Sequence, residues 1–390
     1  MNQELTEEEI RAICEGFSSQ VNVVAGGPVE HVPFQRKFRS TASRNTILYG
    51  PPGTGKTFNT VNLALEILEL EPATHDREEA TDAFRAAIED GSIAFVTFHQ
   101  SYSYEDFVEG IRPQVNEATG SIGYAVNPGI FKTMATRAKL HPTDAFVLII
   151  DEINRGNISG VFGELISLIE ESKRLGREEE ISTVLPYSRE SFGVPDNLFI
   201  IGTMNTADRS LTGMDAALRR RFEFRQMPPR YDLFRDADGL AQWQVAGLSI
   251  AEILDGLNRR LYELKGNDQL IGHAYFMLFA EPEKRTLESL ANVFRVQILP
   301  LLHDYFYDDA ESIMRSLGQT EATGEPYNYV QRRPALVPEL GNIWQFNQSA
   351  PMTVEFYRQI VGAPRANLTP LRNDWSAVDE NSYERDGANR

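Results

Sequence analysis

The chain contains little cysteine, little histidine and fewer basic than acidic residues. Cys14 is the one cysteine among 390 residues, so an internal disulfide is excluded. The six histidines show none of the close Cys/His spacings of zinc sites. Lys and Arg number 38 against 56 Asp and Glu, and the resulting net charge of −18 makes the surface as a whole repel nucleic-acid phosphates. We therefore expect a reducing, cytoplasmic location and only local contact with DNA.

Long apolar runs are absent as well. No run approaches the roughly 20 apolar residues that a membrane span needs, and the first ten residues, MNQELTEEEI, lack the apolar core of a secretory signal. We therefore expect a soluble protein with no membrane contact. Hydrophobic residues make up 42% of the chain and aromatic residues 10%, which is enough to fill a large core, so wholesale disorder is excluded.

Compact apolar runs alternate with stretches of helical periodicity. Apolar residues recur at spacings of three and four between Phe58 and Leu68, and again between Ile158 and Ile169, which is typical of amphipathic helices. Alternation of strands with helices predicts a parallel α/β sheet flanked by helices. The five predicted buried strands are Ile47–Tyr49, Ile93–Phe98, Phe146–Ile150, Leu198–Thr203 and Phe222–Phe224.

The pattern changes after Pro228 and Pro229. Helical patterns at Ile250–Leu264 and Leu287–Tyr307 then predict a smaller helical domain. Near the start, a helix is predicted at Leu5–Phe17, followed by a basic stretch of Arg36, Lys37, Arg39 and Arg44 that is expected to be solvated rather than bound to DNA. The predicted segments are a leader (1–44), an α/β domain (45–227), a helical lid (228–320), a C-terminal extension (321–364) and a polar, disordered tail (365–390).

A glycine-rich stretch follows the first predicted strand and precedes a helix. It fits the pattern G-x-x-x-x-G-K-[ST], in which backbone N–H groups and a helix N-terminus converge on phosphate. Lys56 is expected to neutralise the β- and γ-phosphate oxygens, and the hydroxyl of Thr57 to ligate Mg²⁺. The sequence therefore predicts a nucleoside-triphosphate site made by Gly50, Pro51, Pro52, Gly53, Thr54, Gly55, Lys56 and Thr57.

Two carboxylates, Asp151 and Glu152, follow the third predicted strand. Acids at a strand end are by themselves a weak signal, since a solvated turn or a helix cap explains them equally well. Together with the phosphate loop they predict a catalytic pair. We expect Asp151 to hold Mg²⁺ through water and Glu152 to polarise the water that attacks the γ-phosphate in line.

Polar and basic residues follow the fourth strand. Asn205 ends that strand at the edge where the phosphate site should open, and we expect it to position the hydrolytic water; an N-capped turn is the alternative. Arg219, Arg220 and Arg221 come directly before the fifth strand. A solvated basic patch is the usual meaning of such a run, but beside a nucleotide site these arginines can donate to a neighbouring subunit's γ-phosphate.

At these residues the chain resembles the AAA+ superfamily and, within it, the McrB family, the motor subunits of modification-dependent restriction systems. The resemblance covers about residues 45–310. The stretches similar to McrB signatures are Phe98–Phe107, Asp151–Arg155 with Val161–Glu164, and Met204–Ser210 continuing to Leu218–Phe222. Ile271–His273 and Pro300–Asp309 look similar to that family's helical lid.

The resemblance implies an AAA+ P-loop NTPase with a five-stranded parallel sheet and a helical lid. It implies a homo-oligomer in the form of a hexameric ring, GTP or else ATP as substrate, Mg²⁺ as cofactor, and a McrC-like nuclease subunit as the partner through which DNA is reached. Asp151 and Glu152 match the Walker B pair, and Lys56 and Thr57 match the phosphate and Mg²⁺ ligands. Matches to the Met-Asn-x-x-Asp signature and to the subunit-bridging arginines are Asn205, Asp208, Arg220 and Arg221; Asp208 has no assigned contact.

One departure and two alternatives remain. The best-known members of the family carry an N-terminal domain that reads modified DNA, and residues 1–44 are too short for it, so direct recognition of methylated bases is not expected. A chaperone of the MoxR type, which remodels proteins with ATP, is slightly favoured by the charge of −18. A nucleotide-gated scaffold without turnover is disfavoured because Lys56, Asp151, Glu152 and Asn205 occur together.

Two further features are open to more than one interpretation. The aromatic residues of Phe98–Phe107 are predicted to pack between sheet and helix, with a stacking surface for a partner or nucleic acid as the alternative. His273 follows Gly272 in the lid, where it is either a structural histidine or a group that approaches the nucleotide.

Overall fold

The computed structural model describes residues 42–70, 77–115, 122–208, 216–236, 239, 241–320, 328–337 and 342–362. The helix predicted at Leu5–Phe17, the basic residues Arg36, Lys37 and Arg39, and the predicted tail 365–390 lie outside these ranges. Within them, no helix combines the length and apolar composition that crossing a bilayer requires.

Strands and helices alternate up to Gln226, and helices dominate afterwards. The strands of the described residues are β1 (Asn45–Gly50), β2 (Ile93–Thr97), β3 (Glu109–Val115), β4 (Ile122–Pro128), β5 (Phe146–Asp151), β6 (Thr183–Val184), β7 (Ser191–Phe192), β8 (Leu198–Asn205), β9 (Glu223–Gln226), β10 (Gln244–Val245), β11 (Leu248–Ser249), β12 (Val330–Pro334) and β13 (Asn342–Phe346). The α-helices are α1 (Lys56–Ile67), α2 (Arg77–Glu89), α3 (Tyr104–Phe107), α4 (Ile130–Leu140), α5 (Ile158–Phe162), α6 (Leu165–Leu168), α7 (Ala216–Arg219), α8 (Ile250–Lys265), α9 (Leu287–Val293), α10 (Leu299–Phe306), α11 (Ala310–Ser316) and α12 (Val354–Val361).

The central sheet of the described residues has five parallel strands in the order β2-β5-β8-β1-β9. All five predicted strands are therefore confirmed, and so is the parallel α/β architecture. Alternate residues of a strand face opposite layers. In β5, Leu148 and Ile150 join the core under α3 to α6, whereas Val147 and Ile149 join the core under α1 and α2. Burial on both faces explains why the strands are almost entirely apolar.

Two helical patterns are more broken than their periodicity predicts. The run from Ile158 to Ile169 is divided into α5 and α6 at Gly163, whose φ of +51° lies in the left-handed region. The run from Leu287 to Tyr307 stays helical, but a π-helical turn at Phe294–Ile298 joins α9 to α10. Spacing of apolar residues survives both interruptions, so periodicity alone cannot locate them.

The helices after Met227 share one core with the C-terminal extension. Met227 N–H donates to the Tyr49 carbonyl at 2.7 Å, and the chain then leaves the sheet. Phe356, Tyr357 and Ile360 of α12 are fully buried in the same apolar cluster as α8 and α10. The boundary between a lid (228–320) and a C-terminal extension (321–364) stays a prediction.

A buried polar network corrects the expectation for Arg44. Its side chain is 2% exposed and its Nε lies 3.1 Å from Asp196 Oδ1, so this end of the basic stretch is paired inside the protein. Arg174, fully buried nearby, donates to Asn45 Oδ1 at 2.7 Å and to the Ile169 carbonyl at 3.1 Å. Burial lowers the pKa of Arg174 to about 9. These bonds fix the segment between α6 and β8, which contains β6 and β7, at the start of β1.

Candidate nucleotide site

The glycine-rich loop lies between β1 and α1, as the sequence predicts. Gly53 and Gly55 have φ values of +73° and +75°, in the left-handed region that favours glycine. A Cβ on Gly53 would lie 2.6 Å from the ring of Tyr275, so this position has no room for a side chain. Gly55 precedes the first residue of α1, and the N-terminus of α1 therefore opens at the end of the loop.

The side chains of the loop hold it in a compact turn. Lys56 Nζ donates to the carbonyls of Gly50 and Pro51 at 2.9 and 2.8 Å. The buried hydroxyl of Thr54 donates to the same Pro51 carbonyl at 2.9 Å. Thr57 is half-buried in the first turn of α1. An ammonium group and a helix N-terminus thus meet beside a glycine-rich loop, which fits a bound phosphate chain.

Strand β8 joins the loop to the two carboxylates. Gly50 pairs with Asn205 of β8, and the Thr203 hydroxyl of β8 donates to Asp151 Oδ1. The same Thr203 oxygen accepts the backbone N–H of Glu152 at 3.1 Å. The sequence argument missed Thr203; its signal is a hydroxyl at the end of an otherwise apolar strand.

Glu152 lies in an environment suited to a base. Its backbone φ of +51° is rare for a residue with a side chain. Burial raises the pKa of Glu152, against the opposing effect of the Arg155 guanidinium. Its Oε2 atom is buried and has no hydrogen-bond partner among the described residues. An unsatisfied carboxylate oxygen is costly unless a ligand or water completes it.

Arg155 connects two of the acids. Its Nη2 lies 3.4 Å from Glu152 Oε1 and 3.0 Å from Asp208 Oδ2. Asp208, which the sequence left without a contact, is thereby connected to Glu152 through Arg155. Arg155 was part of the quoted Asp151–Arg155 stretch but received no role, because its position three residues after Glu152 shows its partner only once the turn is known.

Asn205 lies between the loop and the carboxylate pair. Its backbone carbonyl accepts from Asn154 Nδ2 at 3.4 Å, and its Oδ1 accepts from Ala207 N–H at 3.4 Å. The next residue, Thr206, donates its N–H to the Gly50 carbonyl at 3.2 Å. The structure therefore brings Asn205 to the same sheet edge as Gly50 and Asp151.

The three arginines before β9 differ from one another. Arg219 and Arg220 are exposed, with Arg219 lying 5.8 Å from the centre of the Phe224 ring. Arg221 is largely buried and pairs with Glu170 Oε2 at 3.1 Å within its own subunit. Arg220 is thus the one of the two predicted subunit-bridging arginines that faces solvent, whereas Arg221 has a partner in its own chain.

The lid contacts the loop through its backbone. Gly272 N–H donates to the Pro52 carbonyl at 3.0 Å, and Ala274 N–H donates to the Gly53 carbonyl at 2.9 Å. His273 between them is buried and accepts the Arg230 N–H on Nδ1 at 3.2 Å. Burial lowers the pKa of His273 to about 4, so the imidazole is neutral at pH 7.

The aromatic stretch after β2 packs inside the domain, as expected. Phe98 and Phe107 are fully buried. The ring of Phe98 stacks on Tyr102 with centroids 4.8 Å apart, and Phe107 lies 4.8 Å from Phe162 of α5. Packing, rather than an open stacking surface, therefore describes these three side chains.

The donor set fits a magnesium–nucleotide complex. No group of three or more His, Cys, Asp or Glu side chains in the described ranges could hold a metal ion alone. Mg²⁺ is commonly held by one or two carboxylates together with substrate phosphates and waters. Asp151 beside the Thr203 hydroxyl, with a glycine cradle two strands away, matches that mode of binding.

Comparison with known proteins agrees with this geometry. Residues 249–314 match the family described as McrB, alpha-helical lid domain, and residues 77–222 match the AAA domain (dynein-related subfamily). The chain is 38% identical over 284 residues to the type IV methyl-directed restriction enzyme EcoKMcrB subunit of Escherichia coli (strain K12), over 70% of this chain and 56% of that protein. It is 26% identical over 248 residues to the type II restriction enzyme BsuMI component YdiS of Bacillus subtilis (strain 168), over 59% of this chain and 71% of that protein.

The aligned region spans little more than half of the E. coli relative, at 56% of its length. With the P-loop, the parallel sheet and the helical lid all present, the chain belongs to the McrB family of AAA+ proteins.

Proposed function

We propose that this protein is the nucleoside-triphosphatase motor of a restriction complex, with GTP preferred over ATP. The observation that carries the proposal is the meeting of Lys56, Asp151, Glu152 and Asn205 at one edge of the sheet. The two relatives are named as parts of restriction enzymes, which supports the assignment to a restriction system.

Binding rests on the loop and its neighbours. The amide groups of Gly50–Gly55 and the N-terminus of α1 surround the phosphate chain. Lys56 exchanges its bonds to the Gly50 and Pro51 carbonyls for the β- and γ-phosphate oxygens. Thr57 and Asp151 hold Mg²⁺, which when bound neutralises negative charge on the phosphates.

Hydrolysis rests on Glu152 and Asn205. Glu152 accepts a proton from the water that attacks the γ-phosphorus in line, and Asn205 orients that water. Burial of Glu152, which raises its pKa, makes it a better proton acceptor than an exposed carboxylate. Asp208 holds Arg155, and Arg155 holds Glu152, so these two charged groups set the position of the base.

The active unit is a homo-oligomeric, hexameric ring. Arg220 and Arg221 follow α7 before the edge strand β9, and exposed Arg220 is free to approach a neighbouring subunit's nucleotide. A McrC-like nuclease subunit provides DNA cleavage, and the motor drives translocation or remodelling of DNA through that complex. The net charge of −18 agrees with DNA contact made mainly by the partner.

To test the proposed function, phosphate release by the purified protein is measured with GTP and ATP as separate substrates, with and without duplex DNA. Preference for GTP and little effect of DNA are expected. Glu152→Gln is the control, because it removes the base but leaves the phosphate cradle. Absence of release with either nucleotide would refute the proposal, and preference for ATP would move the assignment to an ATP-driven remodelling protein.

A further inference from the structure

The lid crosses the phosphate loop at a fixed position. Two backbone hydrogen bonds, from Gly272 to Pro52 and from Ala274 to Gly53, lie on either side of His273. The approach is so close that a Cβ on Gly272 would lie 1.9 Å from the carbonyl carbon of Gly53. The imidazole of His273 is therefore held against the loop by backbone contacts.

The hydrogen bonding of the ring determines where its proton lies. Nδ1 accepts the N–H of Arg230 at 3.2 Å, so Nδ1 carries a lone pair. A neutral imidazole with a lone pair on Nδ1 has its proton on Nε2. The lowered pKa, about 4, keeps the ring in this neutral state. His273 is thus a hydrogen-bond donor through Nε2 without a positive charge.

The donor faces the phosphate cradle. A Cβ built on Gly55 would lie 3.5 Å from His273 Nε2, so the ring edge is in contact distance of the residue that opens α1. Among the described residues, His273 forms its hydrogen bond through Nδ1 and not through Nε2. An N–H group close to the N-terminus of a helix is suited to an anionic oxygen.

We propose that His273 is a nucleotide-binding residue, whose Nε2–H donates to a phosphate oxygen of the nucleotide in the cradle. The inference rests on the proposed function in one respect, that the cradle binds a nucleoside triphosphate. Its consequence is a direct contact between lid and phosphate. The lid then reports whether the cradle is filled, since the same segment is bonded to Pro52 and Gly53.

A structural role for His273 gives different expectations. In that case the ring fills space under the lid, and its loss lowers stability without a specific effect on phosphate binding. Two variants separate these roles. His273→Leu keeps much of the volume and removes the donor, whereas His273→Gln keeps an N–H donor at similar reach. The matched control is His303→Leu, because His303 lies on α10 and bonds to Tyr329, not to the loop.

The experiment measures the affinity of the full chain for GTPγS and ATPγS, with the melting temperature of each variant. We expect His273→Leu to weaken binding about 10-fold or more, as for loss of a hydrogen bond to a charged group. His273→Gln should keep most of the affinity, and His303→Leu should bind like the wild type. If His273→Leu is folded and binds as tightly as the wild type, the proposal is wrong.

A second measurement uses the unchanged protein. In the histidine ¹⁵N spectrum, addition of GTPγS should shift the Nε2–H signal of His273 and leave its Nδ1 in the acceptor state. An unshifted Nε2 signal at saturating nucleotide would overturn the inference. If the wild type binds neither nucleotide, the proposed function itself fails, and this result is distinct from a wild type that binds without using His273.

Discussion

Arg155 connects two carboxylates of the candidate site. It sits between Glu152 and Asp208, at 3.4 and 3.0 Å, and is itself 47% exposed. Exposed ion pairs contribute little to folding stability. In a catalytic site, such a contact affects the reaction rate by holding a side chain in place, because small displacements of a catalytic base have large effects on rate. We therefore expect the loss of Arg155 to affect catalysis more than folding stability.

We predict that Arg155→Ala lowers kcat by about 10- to 100-fold, because the base loses its fixed position. Nucleotide affinity should change little, since the loop does not depend on Arg155. Asp208→Ala should act through the same contact, so the double variant should be no slower than the slower single variant. Steady-state phosphate release with kcat and KM determined separately checks this.

The control for that cycle is Arg315→Ala, which removes an exposed arginine paired with Glu311 on α11 of the lid. It should leave kcat and KM unchanged. Fully additive losses in Arg155→Ala and Asp208→Ala would show that the two side chains act independently, contrary to the bridging geometry.

His273 gives a prediction for stability against pH. Its pKa is about 4 in the folded protein against 6.5 ordinarily. As the pH falls below 6.5, the unfolded chain binds the proton first, so the folded state loses stability down to about pH 4. Between pH 7.5 and pH 5, the wild type should therefore lose more in melting temperature than His273→Gln, by a difference on the order of a few degrees. Equal losses in both proteins would contradict the neutral, buried imidazole.

Sequence reasoning proposed the candidate site residues that local spacing marks. Lys56 and Thr57 are placed by the loop pattern, and Asp151 and Glu152 by their position at a strand end. Thr203 and Arg155 escaped because their roles arise from contacts between different strands or across a turn. Arg44 was judged by its charge alone, and its partner Asp196 is 152 residues away along the chain.

At the scale of elements, burial on both faces of the sheet gives the five strands compact apolar runs, and these runs predicted the strands. Other elements have no such run. The hairpin of β3 and β4 was not predicted. Its cross-strand pairs Ile111 with Val126 and Val115 with Ile122 lie on one face and are exposed. Apolar residues there are few, and residues 116–121 of the sequence separate the two groups, so no compact run marks the strands. Gly163 similarly breaks a helical pattern without changing its period.

The lid segment at Gly272 gives a prediction at the same scale. Gly272→Ala would place a methyl group 1.9 Å from the Gly53 backbone, so the segment must move off the loop. We expect a loss of stability of about 1–3 kcal/mol, as for other overpacked sites, and weaker nucleotide binding. Chemical denaturation and nucleotide titration measure the two effects.

Gly123→Ala is the matched control for Gly272→Ala. The nearest atom to a Cβ at Gly123 is the Gln114 carbonyl oxygen at 3.9 Å, in the exposed hairpin. It should change neither stability nor nucleotide affinity appreciably. Wild-type stability and binding in Gly272→Ala would mean that lid and loop are not held together as described.

At the scale of the whole molecule, the sequence predicted the class of fold but not the order of the strands in the sheet. Alternating strands and helices indicate a parallel sheet, yet the order β2-β5-β8-β1-β9 depends on pairings between strands far apart in sequence. The extension shows the same limit. Phe356 and Ile360 complete the lid core across about a hundred residues, as in the bond from Arg260 Nη2 to the Gln359 carbonyl at 3.0 Å.

The arrangement of the arginines leads to a prediction about assembly. Glu152 and Lys56 belong to one subunit's half of the site, whereas exposed Arg220 is proposed to complete the site of a neighbour. Arg220→Ala and Glu152→Gln should each be inactive alone. In a mixture, an Arg220→Ala subunit supplies Glu152 and a neighbouring Glu152→Gln subunit supplies Arg220, so the site at their interface is intact. Random mixing at equal amounts should restore about one quarter of the wild-type sites, whatever the ring size.

Phosphate release across a series of mixing ratios tests this, with the maximum expected at equal amounts. Glu152→Gln mixed with Lys56→Ala is the control, because both changes damage the same half-site and no intact interface can form. Arg221→Ala should complement less well than Arg220→Ala, since loss of Arg221 also breaks its pair with Glu170 at 3.1 Å in its own subunit. Absence of recovery with Arg220→Ala at every ratio would place the whole catalytic site within a single chain.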